Sequence, residues 1–179
     1  MAAGDAIMPA MPEPCIRPAV LTDAAEISAI YNHYVRTSTC AYQEEPETLA
    51  DRQAWLERHG GAHVVLVAEE VDGLAGWSSL SPFSERSAYR FTVEDSIYLR
   101  HDCCGRGLGR VLLDRLLAAA RAGGFRSVVA RISAEQTASI ALHRRAGFRE
   151  AGLLRRVGCK FGQWLDVVHL QIELADPPK

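Results

Sequence analysis

No stretch of about 20 consecutive apolar residues, the length a helix needs to cross a bilayer, occurs in this chain of 179 residues. Neither charge is in excess: 20 Lys and Arg stand against 22 Asp and Glu, a net charge of −2. That removes any bulk electrostatic pull toward nucleic acid or an anionic membrane, so neither is expected as a partner. The five cysteines, Cys15, Cys40, Cys103, Cys104 and Cys159, are odd in number and include no Cys-x-x-Cys pair. A disulfide framework is thereby excluded, and a reducing, cytoplasmic setting is expected. His101, Cys103 and Cys104 crowd one turn, but no second ligand cluster completes a zinc site, so no metal is expected. The opening segment MAAGDAIMPAMPEP lacks a basic region and carries Asp5 and Glu13, unlike a secretory signal. Residues 1–14 are expected to form a flexible tail and residues 15–176 a single domain. There is no internal repeat.

What is present is a dense series of periodic segments. A short strand is predicted at Ile16 to Val20, then a capping box from Asp23 to Glu26. Ile27, Ile30, Tyr31 and Tyr34 recur at the spacing of one helix face. A polar loop follows, holding Pro46, and then a helix from Leu49 to Arg58. His63 to Glu70 is β-branched and reads as a strand buried on both faces. Asp72-Gly73 is a hairpin signal, with strands predicted at Leu74 to Leu80 and Tyr89 to Leu99. Leu108 to Ala122 has helical periodicity and ends at two glycines. Ser127 to Ile132 reads as strand, Thr137 to Arg145 as helix, and Glu150 to Val157 and Trp164 to Leu174 as two final strands. This order predicts an α/β (α+β) domain with a central mixed, mostly antiparallel sheet and helices on both faces.

The segment from Glu94 to Arg110, EDSIYLRHDCCGRGLGR, combines a strand end, a turn with three alternating glycines and the start of a helix. Glycines let backbone N–H groups approach an anion. The first helical turn adds unpaired N–H groups and the positive dipole end. A P-loop would need Lys and then Ser or Thr after the last glycine, where Arg110 and Val111 stand. A dinucleotide fingerprint would need a glycine at Leu112. The run Cys104-Gly105-Arg106-Gly107-Leu108-Gly109 instead resembles the acyl-CoA loop Gln/Arg-x-x-Gly-x-Gly/Ala of the GNAT N-acetyltransferases. Cys104 departs from the pattern's leading Gln or Arg and leaves the backbone cradle intact. Four further stretches are similar to the phosphinothricin and methionine sulfone (sulfoximine) acetyltransferase group within that family. They are Ile30 to Tyr34 with Thr37 to Thr39, Tyr89 to Glu94, Leu142 to Phe148, and Val157 to Asp166.

The resemblance implies the GNAT fold, acetyl-CoA as cofactor and a small amino-acid-like amine as acceptor, with direct transfer in a homodimer. Strand alternation alone leaves open which of Glu94 and Asp95 faces outward into water. The resemblance assigns the general base to Glu94, the oxyanion donor to the backbone N–H of Leu99 and the general acid to His143. It implies cofactor contacts at Ile97, Tyr98 and Leu99, along Gly105, Arg106, Gly107, Leu108, Gly109 and Arg110, and at Gln136 and Ser139. Arg86 and Arg90, with Tyr89 between them, read either as a clamp for an acceptor carboxylate or as solvated loop residues. Thr39 lies in a loop expected to wall the acceptor pocket. Two other readings remain: acetylation of a polyamine, an aminoglycoside or a protein N-terminus, and a non-catalytic acyl-CoA sensor. A polyamine or aminoglycoside would call for a pocket rich in carboxylates, where Arg86 and Arg90 stand instead, and a sensor needs neither Glu94 nor His143.

Overall fold

The computed structural model describes residues 14–174. The expected tail, Pro14 apart, lies outside these residues, as do Ala175 and Asp176. Seven strands form one sheet in the order β1-β2-β3-β4-β5-β7-β6. They are β1 (Cys15–Pro18), β2 (Val65–Glu70), β3 (Gly73–Pro82), β4 (Thr92–Leu99), β5 (Ser127–Ser133), β6 (Arg149–Lys160) and β7 (Gln163–Glu173). The helices are α1 (Ala24–Thr37), α2 (Leu49–Arg58), α3 (Leu108–Ala122) and α4 (Thr137–Arg145). Every neighbouring pair of strands is antiparallel except β4 and β5. A parallel pair needs a crossover, and α3 supplies it.

The sheet buries a cluster on each face. Leu112, Leu113, Leu116 and Leu117 of α3 pack with Val93, Val128, Ala130 and Leu170 on one side. Ile27 and Ile30 of α1 and Leu56 of α2 pack with Val65, Val67, Leu74 and Trp77 on the other. Because both faces are covered, neither Glu94 nor Asp95 points into bulk water, contrary to the expectation from alternation.

The predicted capping box does not form. Asp23 precedes α1 but accepts from Arg17 and from the backbone N–H of Val20, and the ion pair ties β1 to the start of the helix. Glu26 accepts from the N–H of Leu74 at 2.7 Å and so caps the β2–β3 turn. The box occurs instead at α2, between Thr48 and Asp51. The strand expected from Tyr89 begins at Thr92, since Ser87–Tyr89 forms a 3-10 turn.

Gly76 marks the tightest approach of β3 to β4. A Cβ there would lie 2.7 Å from Leu99 Cδ2 and 2.9 Å from the Tyr98 carbonyl oxygen. The carbonyl is backbone and cannot yield. Gly76→Ala is therefore expected to cost about 1–3 kcal/mol of stability, read as a lower melting temperature.

Candidate active site

β4 and β5 pair only from Thr92 to Glu94, against Ser127 to Val129. Beyond that point β5 stays with β7 while β4 stays with β3 to Leu99, and the two strands part. The Arg100 N–H bonds the Ala75 carbonyl, so Ala75–Arg100, Trp77–Tyr98 and Ser79–Ser96 are the hydrogen-bonded pairs of the β3–β4 ladder. The backbone groups of Ile97 and Leu99 consequently face the gap. A cleft of about 890 Å³ opens there.

Gly105, Gly107, Gly109 and Arg110 line one end of the cleft. Gly107 caps α3 at a φ of 83° and Gly105 has a φ of 77°, a region that favours glycine. A Cβ at either would meet no atom within 4 Å and would project into open space. This collar of bare backbone, ending on a helix N-terminus, fits a diphosphate. Ile97, Tyr98, Leu99, Gln136 and Ser139 line the same cleft. Two residues of the expected cofactor set turn their side chains elsewhere. Arg106 is ion-paired with Glu70 at 2.9 Å, and Leu108 is core. Neither lines the cleft.

Glu94 lines the cleft on the α1–α2 side of the sheet and is mostly buried. Arg131, two residues beyond its β5 neighbour Val129, holds it in a two-pronged ion pair of 2.8 and 2.7 Å. Each carboxylate oxygen keeps a second lone pair for an approaching ammonium or water. Arg131 was not foreseen, although a single cation in the apolar run Ser127 to Ile132 was a legible signal.

Asp95 faces the opposite side and is buried. Its Oδ2 lies 2.9 Å from His143 Nε2. The other ring nitrogen, Nδ1, donates to the Ser139 carbonyl at 2.8 Å. Burial opposes the charged imidazole, but the hydrogen bond and charge of Asp95, with the Ser139 carbonyl, outweigh it and raise the pKa. His143 lines the cleft, yet both its nitrogens are engaged. The expected acid role thus requires the Nε2 proton to leave Asp95. Tyr34 was read as part of a helix face and of a family-like stretch, with no role in the site. Its hydroxyl donates to the Leu99 carbonyl at 2.7 Å, and burial, with neighbouring Cys104, pushes the phenol pKa up.

Lys160 joins the last hairpin to the loop after α1. It is buried and donates to the carbonyls of Ser38 at 2.9 Å and Ala41 at 2.6 Å, tying the α1–α2 loop to the last hairpin. Burial pulls its pKa down. Thr39 donates to Glu135 at 3.1 Å and stands behind Cys40 and Tyr42, which do line the cleft. Arg86, Tyr89 and Arg90 are exposed and line neither this cleft nor the pocket beside it. Arg90 bonds the Ser87 carbonyl and stacks on Phe91. The structure therefore does not bring these three residues to Glu94.

A sheet split between two parallel strands, with a glycine collar at one end of the gap and a carboxylate beside it, defines an acyltransferase. Residues 27–148 match the model of the acetyltransferase (GNAT) family. The chain belongs to that family. It is 42% identical to the L-methionine sulfoximine/L-methionine sulfone acetyltransferase of Pseudomonas aeruginosa, over 92% of this chain and 96% of that protein. It is 40% identical to the phosphinothricin N-acetyltransferase of Alcaligenes faecalis, over 83% of this chain and 77% of that one. Among solved structures it superposes on yncA, a putative acetyltransferase from Salmonella typhimurium with its cofactor acetyl-CoA. The TM-score is 0.88 at 36% identity, covering 93% of this chain and 96% of that one. A phosphinothricin acetyltransferase from Sinorhizobium meliloti in complex with acetyl-CoA gives 0.87 at 37% identity, covering 90% and 89%.

Proposed function

We propose that this protein transfers acetyl from acetyl-CoA to the α-amine of a small amino-acid analogue of the methionine sulfone, methionine sulfoximine or phosphinothricin type. Transfer is direct, from cofactor to amine within a ternary complex. The observation that carries this reading is that Glu94 and the glycine collar line a single cleft, in a chain at 40–42% identity to acetyltransferases of these compounds.

Bound acetyl-CoA supplies the acetyl group activated as a thioester. The collar from Gly105 to Arg110 holds the diphosphate through backbone N–H groups, and Ile97, Leu99, Gln136 and Ser139 hold the arm. Glu94 takes the ammonium proton, directly or through one water. The Leu99 N–H meets negative charge as it develops on the carbonyl oxygen. His143 supplies the proton for the departing thiolate, and Asp95 positions its ring. Arg131 engages Glu94 through Nε and Nη2, leaving Nη1 for the acceptor carboxylate. It replaces Arg86 and Arg90, which take the solvated-loop reading.

A homodimer is part of the proposal. Leu153, Leu154, Val157, Phe161 and Trp164 on the β6–β7 hairpin are exposed, more apolar surface than an isolated subunit leaves uncovered without reason. Sedimentation is expected to give twice the chain mass, and a monomer at micromolar concentration counts against it. No helix among the described residues is long and apolar enough to cross a membrane. The proposed setting is the reducing cytoplasm, in keeping with cysteines that are all free.

The deciding experiment mixes protein, acetyl-CoA and a panel of amines and follows thiol release. Turnover is expected on methionine sulfone, methionine sulfoximine and phosphinothricin, but not on spermidine or an aminoglycoside. Cofactor binding without turnover on any amine would leave a sensor in place of an enzyme.

A further inference from the structure

Past Glu94 the cleft continues over β5 and β7. The Ala134 N–H bonds the Asp166 carbonyl at 2.9 Å, and the Leu174 N–H bonds the Arg126 carbonyl at 2.8 Å. These contacts fix the alternation of the β5–β7 ladder, in which every second pair exchanges hydrogen bonds. Arg131 and His169 are directly opposed and fall between the bonded pairs. Such a pair has the closer spacing, about 4.5 Å between Cα atoms, with both side chains on one face. Arg131 reaches Glu94 on that face. His169 therefore stands on the Glu94 side of the sheet, one strand beyond Arg131.

The His169 ring lines the cleft and is engaged by no hydrogen bond or ion pair among the described residues. On its other flank β6 presents Gly152, where a Cβ would meet no atom within 4 Å. The imidazole thus has open space beside it, and it carries at least one N–H donor in either charge state. The other imidazole lining the cleft, His143, is held by Asp95 on the opposite face. Arg131 brings a further donor, since Nε and Nη2 serve Glu94 and Nη1 does not. Two adjacent strands therefore offer a guanidinium N–H and an imidazole N–H to the same niche, next to the carboxylate that receives the amine.

We propose that His169 is the second arm of a clamp that holds the acceptor's α-carboxylate with Arg131, and that it makes the site choose free α-amino acids over the N-terminal amine of a peptide. The proposal rests on the acetyl-transfer reading above and adds the residue that enforces it and the class of amine it rejects. The distances agree. An α-amine nitrogen lies about 3 Å from its own carboxylate oxygens, and neighbouring strands are about 4.8 Å apart. An amine at Glu94 thus sets its carboxylate over β5, between the groups that β5 and β7 supply. A carboxylate has about four lone-pair sites, more than one guanidinium nitrogen fills. The first residue of a peptide has a neutral amide in that place, which forgoes the charge-assisted bonds.

The test measures kcat and KM for methionine sulfone and for its α-carboxamide, the simplest stand-in for a peptide N-terminus, in the wild type, His169→Phe and His169→Gln. The KM for acetyl-CoA and the melting temperature are read alongside. The wild type is expected to favour the acid over the carboxamide by about tenfold or more in kcat/KM. In His169→Phe the KM for the acid is expected to rise about tenfold. Its kcat, the KM for acetyl-CoA and the carboxamide kinetics should stay near the wild type, as for a contact made equally in ground and transition states. Glutamine keeps an N–H donor and should restore most of the preference for the acid. An acid KM that does not move in His169→Phe, an equal loss on acid and carboxamide, or a wild type that treats the two alike overturns the second arm while leaving acetyl transfer standing. A wild type that acetylates neither compound overturns both readings.

Discussion

Replacing Glu94 with glutamine is expected to lower kcat by about 10²- to 10⁴-fold, the usual contribution of a positioned general base. The acceptor amine arrives as an ammonium and must lose a proton before its nitrogen can attack. Among the carboxylates lining the cleft, Asp95 is turned to the other sheet face and taken by His143. Glutamine has the same shape and its oxygen still accepts from Arg131, but it takes no proton at working pH. The acceptor KM should therefore move little while kcat collapses, the signature of an interaction used in the transition state. The melting temperature should stay near that of the wild type, since Arg131 is largely exposed and such a pair contributes little to stability. Steady-state thiol release checks both parameters. A variant with kcat within roughly threefold of the wild type would remove Glu94 from the mechanism.

Asp95→Ala has the second large expected effect, on stability. His143 and Asp95 are both buried, with side chains 4% and 1% exposed. Removing one partner of a buried ion pair leaves the other uncompensated, which costs about 3–5 kcal/mol. In a chain of this length that lowers the melting temperature by roughly 6–20 °C. The pH dependence identifies the cause. The His143 pKa is raised in the folded protein, so the pair's contribution is fully present below the unfolded histidine value of about 6.5. It is lost as pH rises through the raised folded value, because the Nε2 lone pair then faces the carboxylate. The stability gap between wild type and variant should thus be widest in mild acid and narrow as pH rises through the raised histidine value. Denaturant titrations at several pH values measure it, and a gap that widens with pH would refute the charged pair.

Glycine spacing was enough to expect bare backbone ahead of α3, and Gly105 and Gly107 do take positive φ with open space where a Cβ would stand, because glycine conformation is a local property. Glu94 was singled out from Asp95 only once its surroundings resembled a family. Alternation told that Glu94 and Asp95 lie on opposite faces but left their environments open. Those depend on α4, which delivers His143 to Asp95 from 48 residues away, and on β5, which delivers Arg131 to Glu94 from 37. Arg86 and Arg90 were left open between a clamp and solvated loop residues, the clamp being suggested because they stand close to Glu94 in sequence. In the fold, the 3-10 turn at Ser87–Tyr89 keeps that loop outside the cleft.

The order of strands and helices, the crossover by α3 and the positive-φ glycines before it were determined by the sequence itself, since periodicity and glycine conformation act over a few residues. The partner of each carboxylate was decided only in the tertiary structure. Contacts between residues far apart in the chain carry no local signal, and they exist only once both faces of the sheet have been covered.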